Sequence, residues 1–124
     1  MTGKKILVAD DDVHCGSLLK DFLGELGYEV TVVCDGSTLY RVAPEVMPDL
    51  IISDLEMPGL SGGTAQALLR LSEKTKAIPI IFITGQPEDR QARLVEFRPE
   101  TRILHKPLDL QALARAVEEE LSPR

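Results

Sequence analysis

Short apolar runs alternate with amphipathic segments along the chain. Runs that predict strands occupy residues 5–9, 28–34, 50–53, 78–83 and 102–105. Apolar residues at helical spacing predict helices at about residues 15–26, 37–47, 64–72, 88–97 and 110–121. Strands that alternate with helices indicate right-handed βαβ crossovers, so the pattern predicts an α/β fold with a doubly wound, five-stranded parallel sheet and five helices.

The degree of burial within each run predicts the strand order. Residues 50–53 and 78–83 are continuously apolar, which is typical of strands covered on both faces. Residues 28–34 alternate apolar and polar positions, and residues 102–105 form only a short run. The second and fifth strands are therefore expected at the edges, which matches the order 2-1-3-4-5.

Cap and breaker residues refine the predicted helices. Gly27 is expected to end the first helix, and Asp109 to cap the start of the last one. Pro44 lies inside the second helical pattern and is expected to leave a short helix with an irregular tail. The segment 88–97 has few apolar residues among many charges, so its helix is expected to dock loosely.

Composition and charge exclude several classes of protein. With 124 residues, 44% hydrophobic and 27% charged, the chain predicts one globular domain, expected at residues 4–121. No effector domain is expected within this sequence, which is either a stand-alone domain or a piece of a longer protein. A formal net charge of -6 disfavours binding to nucleic acid or to anionic membranes. The first apolar run is too short for a signal peptide or a membrane span, so a cytoplasmic protein is expected.

The cysteines and histidines carry no metal or redox motif. Cys15 and Cys34 have neither CxxC spacing nor a zinc-like histidine partner, so both are expected to be free, partly buried thiols with a packing role. His14 and His105 are isolated, and surface or packing roles are expected for them.

The candidate chemistry lies at the carboxyl ends of the strands. In the order 2-1-3-4-5 the strand order reverses between strands 1 and 3, which brings Asp10 and Asp11 beside Asp54. The fourth strand ends at Thr84, and Lys106 follows the fifth. Ligands of doubly wound sheets bind at this edge, so these residues are the candidate site.

Three converging carboxylates repel one another unless one is protonated or a cation lies among them. Their hard oxygen ligands favour Mg²⁺, with Mn²⁺ as the second choice. A carboxylate beside Mg²⁺, a hydroxyl and a lysine suits in-line phosphoryl transfer to Asp54, with Lys106 and Thr84 contacting the phosphoryl oxygens.

Each residue alone also has a structural explanation. Acids after the first strand can favour a helix N-terminus, Thr84 can form a turn at a strand end, and Lys106 can be a solvated charge. The convergence of four strand ends on one crevice favours the chemical interpretation.

Three stretches resemble the receiver domain of bacterial response regulators, a family with a flavodoxin-like fold. They are residues 6–12 (ILVADDD), 54–62 (DLEMPGLSG) and 105–107 (HKP), and the resemblance extends over essentially the whole chain. It implies that Asp54 accepts a phosphoryl group from a phosphohistidine on a sensor histidine kinase or a histidine phosphotransfer protein. Phosphorylation and dephosphorylation are then catalysed by the domain itself, in a signalling role rather than as an enzyme.

The same resemblance implies the remaining roles. Asp11 binds Mg²⁺ directly, Asp10 binds it mostly through water, and the backbone carbonyl of Glu56 completes the protein ligands together with Asp54. Thr84 is the hydroxyl switch, and Lys106 contacts the phosphoryl group and precedes a cis proline. Asp12 lies outside the ligand shell, and a downstream effector protein or domain reads the surface of helix 4, strand 5 and helix 5.

The sequence departs from the family pattern at two places. Ile103 stands where the family often has an aromatic residue, so the aromatic readout of phosphorylation lacks its usual side chain. Residues 98–100 (RPE) replace small residues that are common there. Glu56, two residues after Asp54, adds charge beside the attacking water, and we hypothesise that it alters hydrolysis of the acyl phosphate.

Two alternative functions belong to other classes. A phosphatase with an aspartyl nucleophile resembling the haloacid dehalogenase type needs a DxDx[TV] pattern, which residues 10–14 (DDDVH) fit poorly. A phosphorylation-independent interaction module, or pseudo-receiver, is disfavoured because the five usual polar positions are all present. A flavin-binding protein is excluded because no Ser/Thr/Gly-rich phosphate loop follows the first strand.

Overall fold

The computed structural model describes residues 3–85 and 102–122 of the chain. Its strands are β1 (Lys5–Ala9), β2 (Glu29–Val33), β3 (Leu50–Asp54), β4 (Ile80–Thr84) and β5 (Arg102–His105). Its helices are α1 (Val13–Glu25), α2 (Gly36–Val46), α3 (Gly62–Leu69) and α4 (Leu110–Leu121). The helix predicted at residues 88–97 lies outside the described residues, so α4 is the fifth helix of the sequence pattern.

The five strands form one parallel sheet in the order β2-β1-β3-β4-β5. This order confirms the prediction from the burial of the apolar runs. Every residue of the central strand β3 is buried, whereas the edge strands β2 and β5 are partly exposed. In register, Ala9 of β1 lies beside Ser53, and Asp54 lies beside Ile83. The carboxyl ends of β1, β3 and β4 therefore meet at one edge.

Alternate strand residues face two separate cores, because successive side chains of a strand point to opposite faces of the sheet. One core joins the sheet to α1 and α4, and the other joins it to α2 and α3. The first includes Ile6, Val8, Leu19, Leu23, Leu50, Ile52, Ile81, Ile83, Leu113, Ala116 and Val117. The second includes Leu7, Ala9, Val33, Leu39, Ala43, Ile51, Met57, Ala65 and Leu69.

The helix caps follow the sequence closely. The side chain of Asp12 accepts hydrogen bonds from the amides of the first turn of α1, and Asp109 does the same for α4. Gly27, just beyond the end of α1, has φ of 97°. That left-handed conformation favours glycine, so the predicted stop at this residue is confirmed.

The predicted irregular tail of the second helix is wrong. Helix α2 continues through Pro44 to Val46, and Met47 caps it with a hydrogen bond from its amide to the carbonyl of Ala43. Pro44 removes only one helical hydrogen bond near the end of α2. Burial of Leu39 and Ala43 against the sheet outweighs this loss, because tertiary packing routinely overrides helix propensity.

Smaller differences occur at exposed ends. Strand β4 begins at Ile80, two residues later than the apolar run, and Ser72 is exposed beyond the end of α3. Cys15 is half-buried as predicted, but Cys34 is exposed because it follows the last residue of an edge strand. Among the described residues, none of the helices combines the length and the apolar character that crossing a bilayer requires.

Candidate functional site

Four strands deliver the predicted polar residues to one edge of the sheet. Asp10 directly follows β1, and Asp54 and Thr84 are the last residues of β3 and β4. Lys106 directly follows β5, and its amide donates a hydrogen bond of 2.8 Å to the carbonyl of Thr84. The ends of β1, β3, β4 and β5 therefore position these four polar residues.

The three predicted acidic ligands form a cluster. One carboxylate oxygen from each of Asp10, Asp11 and Asp54 lies within 4.8 Å of the others. Asp10 and Asp54 are buried, whereas Asp11 is exposed at the mouth of the site. Carboxylates this close need a cation or a proton among them.

Lys106 supplies part of that positive charge. Its Nζ donates a hydrogen bond of 3.0 Å to Asp54 Oδ2 and lies 3.3 Å from Asp10 Oδ2. Burial lowers the pKa of Lys106, but the hydrogen bond to Asp54 and the charges of Asp54 and Asp10 outweigh it and raise the pKa above its usual value. Lys106 is therefore a cation throughout the physiological pH range.

Asp54 experiences opposing influences. Burial raises its pKa above the ordinary value, the hydrogen bond and charge of Lys106 lower it, and the charge of Asp10 raises it again. The net shift is upward because burial is the largest effect. Asp54 Oδ1 also accepts a hydrogen bond of 3.3 Å from the amide of Glu56, which orients the carboxylate.

The carboxylate oxygens of the cluster are suitable ligands for a hard divalent cation. Asp10 Oδ1 accepts a hydrogen bond from the amide of Asp12, but Asp10 Oδ2 is buried and receives no hydrogen bond from the described residues. A buried carboxylate oxygen without a donor is costly unless a charge compensates it. Lys106 at 3.3 Å compensates in part, and a cation bound by oxygen ligands would complete the compensation.

An open cleft of about 530 Å³ lies in front of the cluster. It is lined by Asp11, Asp54, Glu56, Met57, Pro58, Ser61, Thr84, Gly85 and Lys106. Five of these were singled out from the sequence. The predicted ligand Asp10 lies deeper, behind the lining residues.

The sequence analysis missed the remaining lining residues as parts of the site. Ser61 caps α3: its Oγ accepts a hydrogen bond from the amide of Thr64, and it also bonds the Thr64 hydroxyl. A serine directly before a helix is a recognisable cap, but the sequence does not reveal that this helix starts beside Asp54. Met57, Pro58 and Gly85 line the same cleft as Asp54.

The other residues discussed from the sequence are not among the residues that line the cleft. Asp12 caps α1 and does not line the cleft, and His14 and His105 are exposed. Ile103 packs against the buried pair Leu55 and Phe82. The peptide bond between Lys106 and Pro107 is cis, as the family resemblance implied.

The thiol of Cys15 neighbours the Asp10 carboxylate. Burial raises its pKa to about 12, and the neighbouring Asp10 contributes to the rise. The thiol therefore stays protonated at neutral pH and packs against the core that contains α1.

Comparison with known proteins identifies the same architecture across the chain. The sequence model of the family described as "Response regulator receiver domain" matches residues 6–118. The probable chemotaxis protein CheY of Rhizobium etli is 31% identical over 116 residues, which are 92% of this chain and 89% of that protein. The CAI-1 autoinducer sensor kinase/phosphatase CqsS of Vibrio cholerae is 34% identical over 115 residues, or 92% of this chain, but the match spans only 17% of CqsS.

A solved structure with a bound ion shares the fold. The receiver domain of the sensor histidine kinase PA1611 from Pseudomonas aeruginosa superimposes with a TM-score of 0.84 and 28% identity, covering 97% of this chain and 98% of that one. That crystal structure has a magnesium ion coordinated in its active-site cleft. The acidic cluster described above fits binding of the same ion.

Proposed function

Because this chain belongs to the response regulator receiver domain family of two-component systems, we propose that residues 4–121 form one phosphoryl-accepting domain with Asp54 as the acceptor. The observation that supports this assignment is the surroundings of the Asp54 carboxylate. It faces an open cleft, hydrogen-bonds to Lys106, and lies within 4.8 Å of the Asp10 and Asp11 carboxylates. A buried carboxylate that is paired with a cation and accessible from a cleft is suited to act as a nucleophile.

In the proposed reaction, a carboxylate oxygen of Asp54 attacks the phosphorus of a phosphohistidine. An O–P bond forms, the N–P bond breaks, and its electron pair returns to the imidazole of the donor. Lys106 favours the ionised, nucleophilic form of Asp54, since its charge and hydrogen bond lower the pKa of that carboxyl against the effect of burial. After transfer, its ammonium group neutralises charge on the phosphoryl oxygens.

Asp10, Asp11, Asp54 and the backbone carbonyl of Glu56 are the proposed ligands of Mg²⁺. Two observations support this assignment: Asp10 Oδ2 is buried and accepts no hydrogen bond from the part of the chain that the structure describes, and the three carboxylates lie close together. When bound, Mg²⁺ supplies positive charge that offsets the negative charge of the phosphoryl group.

Thr84 is proposed to respond to the phosphoryl group. It is buried at the end of β4 and lines the cleft, and its carbonyl accepts a hydrogen bond from the amide of Lys106. The Thr84 hydroxyl can donate a hydrogen bond to a phosphoryl oxygen. A movement of Thr84 toward that oxygen would also move Gly85, the residue that follows β4.

The proposed donor is a sensor histidine kinase or a histidine phosphotransfer protein in the cytoplasm. The proposed recipient of the signal is an effector protein or domain that contacts the surface of the predicted helix 88–97, β5 and α4. The domain's role is then to carry a signal rather than to turn over a substrate.

The test is phosphorylation by acetyl phosphate with and without Mg²⁺, measured by intact mass and a phosphate-sensitive gel. We expect a labile, Mg²⁺-dependent adduct on the wild type that is absent from Asp54→Asn. Asp12→Asn is the matched control, because it removes an adjacent carboxylate that caps α1 outside the cleft, and asparagine caps equally well. A folded wild type that binds Mg²⁺ without forming the adduct would instead indicate a module that acts without phosphorylation.

A further inference from the structure

The first residue of α2 touches the loop that follows Asp54. A Cβ on Gly36 would lie 1.9 Å from the carbonyl oxygen of Leu60 and 2.7 Å from its carbonyl carbon. These distances are far below van der Waals contact, so the two main chains meet directly at Gly36, and no side chain separates them.

The same loop forms a wall of the cleft. Met57 and Pro58 line it, and Met57 also packs in the core that contains Leu39 and Ala43 of α2. The side chain of Leu60 packs against that same core. The loop therefore contacts α2 through the backbone of Leu60, and it shares a core with α2 through the side chains of Met57 and Leu60.

Both ends of the loop are held. The amide of Leu55 donates a hydrogen bond of 3.0 Å to the carbonyl of Ile83, and the amide of Gly62 donates one of 3.0 Å to the carbonyl of Leu55. A closed loop that is packed at its base has little room to absorb a displacement internally. A change at its cleft wall is therefore transmitted to what it touches, because close-packed interiors transmit strain.

We propose that α2 is a second responsive element: phosphorylation of Asp54 displaces the loop at residues 57–60, and the contact between Leu60 and Gly36 shifts α2. This inference rests on the proposed function. Tyr40, which is 44% exposed on α2, lies on the surface that would report the shift. Helix α1 packs on the opposite face of the sheet, in a core that includes none of these loop residues.

The experiment uses tryptophan as a local reporter, since the chain contains none. Tyr40→Trp places the reporter on α2, and Tyr28→Trp places the matched control after α1, against the opposite core. Each variant is treated with acetyl phosphate and Mg²⁺ while emission and intact mass are followed together. We expect the emission maximum of Tyr40→Trp to shift in proportion to the phosphorylated fraction, and that of Tyr28→Trp to stay constant.

Hydrogen exchange on the wild type gives a second measurement that needs no substitution. Coupling between sites usually changes an equilibrium by about 5- to 150-fold, so exchange rates of the α2 amides should change by about fivefold or more on phosphorylation. Phosphorylation at Asp54 with unchanged α2 exchange and a silent Tyr40→Trp would overturn the inference and leave the proposed function intact. Absence of phosphorylation in the wild type would overturn both.

Discussion

The Cα of Gly62 packs against the main-chain carbonyl of Asp54 so closely that a Cβ at Gly62 would lie 2.2 Å from that oxygen. The same Cβ would lie 2.9 Å from Ser53 Oγ, which itself donates a hydrogen bond to the Asp54 carbonyl. Helix α3 therefore begins in direct contact with the end of β3. This contact fixes the backbone from which the Asp54 carboxylate projects.

Replacing Gly62 with alanine should destabilise the protein and slow its phosphorylation. The added methyl group forces α3 away from the Asp54 carbonyl, and overpacking of this kind costs about 1–3 kcal/mol in the free energy of unfolding. Urea denaturation measures the loss. The control is Gly24→Ala on α1, where a Cβ would meet nothing within 4 Å. There alanine should raise the free energy of unfolding by about 0.5–1 kcal/mol, because glycine destabilises a helix interior. Equal effects at the two glycines would contradict the argument.

Replacing Lys106 with methionine should lower stability at neutral pH when Mg²⁺ is absent. The change leaves the buried Asp10 and Asp54 carboxylates without their cation, a loss of about 1–3 kcal/mol. Added Mg²⁺ should recover part of it. Lys76→Met is the matched control, since Lys76 pairs with Glu73 at an exposed site and its loss should change stability by less than about 0.5 kcal/mol. Equal losses of stability in Lys106→Met and Lys76→Met would disprove the stabilising role of Lys106.

The stability difference between Asp54→Asn and wild type should depend on pH. Because burial raises the pKa of Asp54 above 3.8, the folded protein keeps this proton to higher pH than the unfolded chain. The stability that Asp54 contributes is therefore greatest below pH 3.8 and is lost as pH rises through the folded pKa. Without Mg²⁺, the stability of Asp54→Asn relative to the wild type should therefore increase as pH rises from 3.8 through the folded pKa, and then stay constant.

Urea denaturation of both proteins across this pH range measures the difference. Asp21→Asn, which removes an exposed carboxylate from α1, controls for the change in net charge. Saturating Mg²⁺ should favour the wild type instead, because the proposed site exists only in the folded protein and asparagine replaces one of its proposed ligands. An advantage of asparagine that shrinks as pH rises would show that Lys106, rather than burial, dominates the pKa of Asp54.

Replacing Glu56 with alanine should shorten the lifetime of the acyl phosphate. Glu56 lines the cleft, and its negative charge disfavours further charge development near the attacking water. An interaction of about 1 kcal/mol in a water-exposed cleft corresponds to roughly a fivefold change in rate. Decay of the phosphorylated mass after removal of acetyl phosphate measures the lifetime. Glu56→Gln keeps the shape and removes the charge, so it should match Glu56→Ala, and lifetimes equal to that of the wild type would rule out the effect.

Local patterns predicted most of the fold. The apolar runs located all five strands, Asp109 located the start of the last helix, and Gly27 located the end of the first. These features depend on the backbone and side-chain preferences of a few neighbouring residues, so they can be inferred without knowing what packs against them. The order of the strands followed from the apolar pattern, because continuous apolar runs predict central strands and alternating or short runs predict edge strands.

Pro44 and Cys34 show where this reasoning fails. Helix α2 passes through Pro44 because Leu39 and Ala43 gain more from the core than one hydrogen bond costs, and that gain comes from the sheet. Cys34 is exposed because it lies beyond the last residue of an edge strand, where no helix covers it. In both cases the outcome depends on partners that are distant in the sequence.

The sequence by itself determined which residues end the strands, and hence that Asp10, Asp54, Thr84 and Lys106 share one edge of the sheet. Tertiary structure alone decided that Asp10 Oδ2 is buried with no hydrogen-bond donor among residues 3–85 and 102–122, and that Gly36 and Gly62 bring two helices into backbone contact with the segment around Asp54. The reason is physical. Strand ends are set by local preference and alternation, whereas desolvation and close contact arise only when separate elements pack at fixed distances.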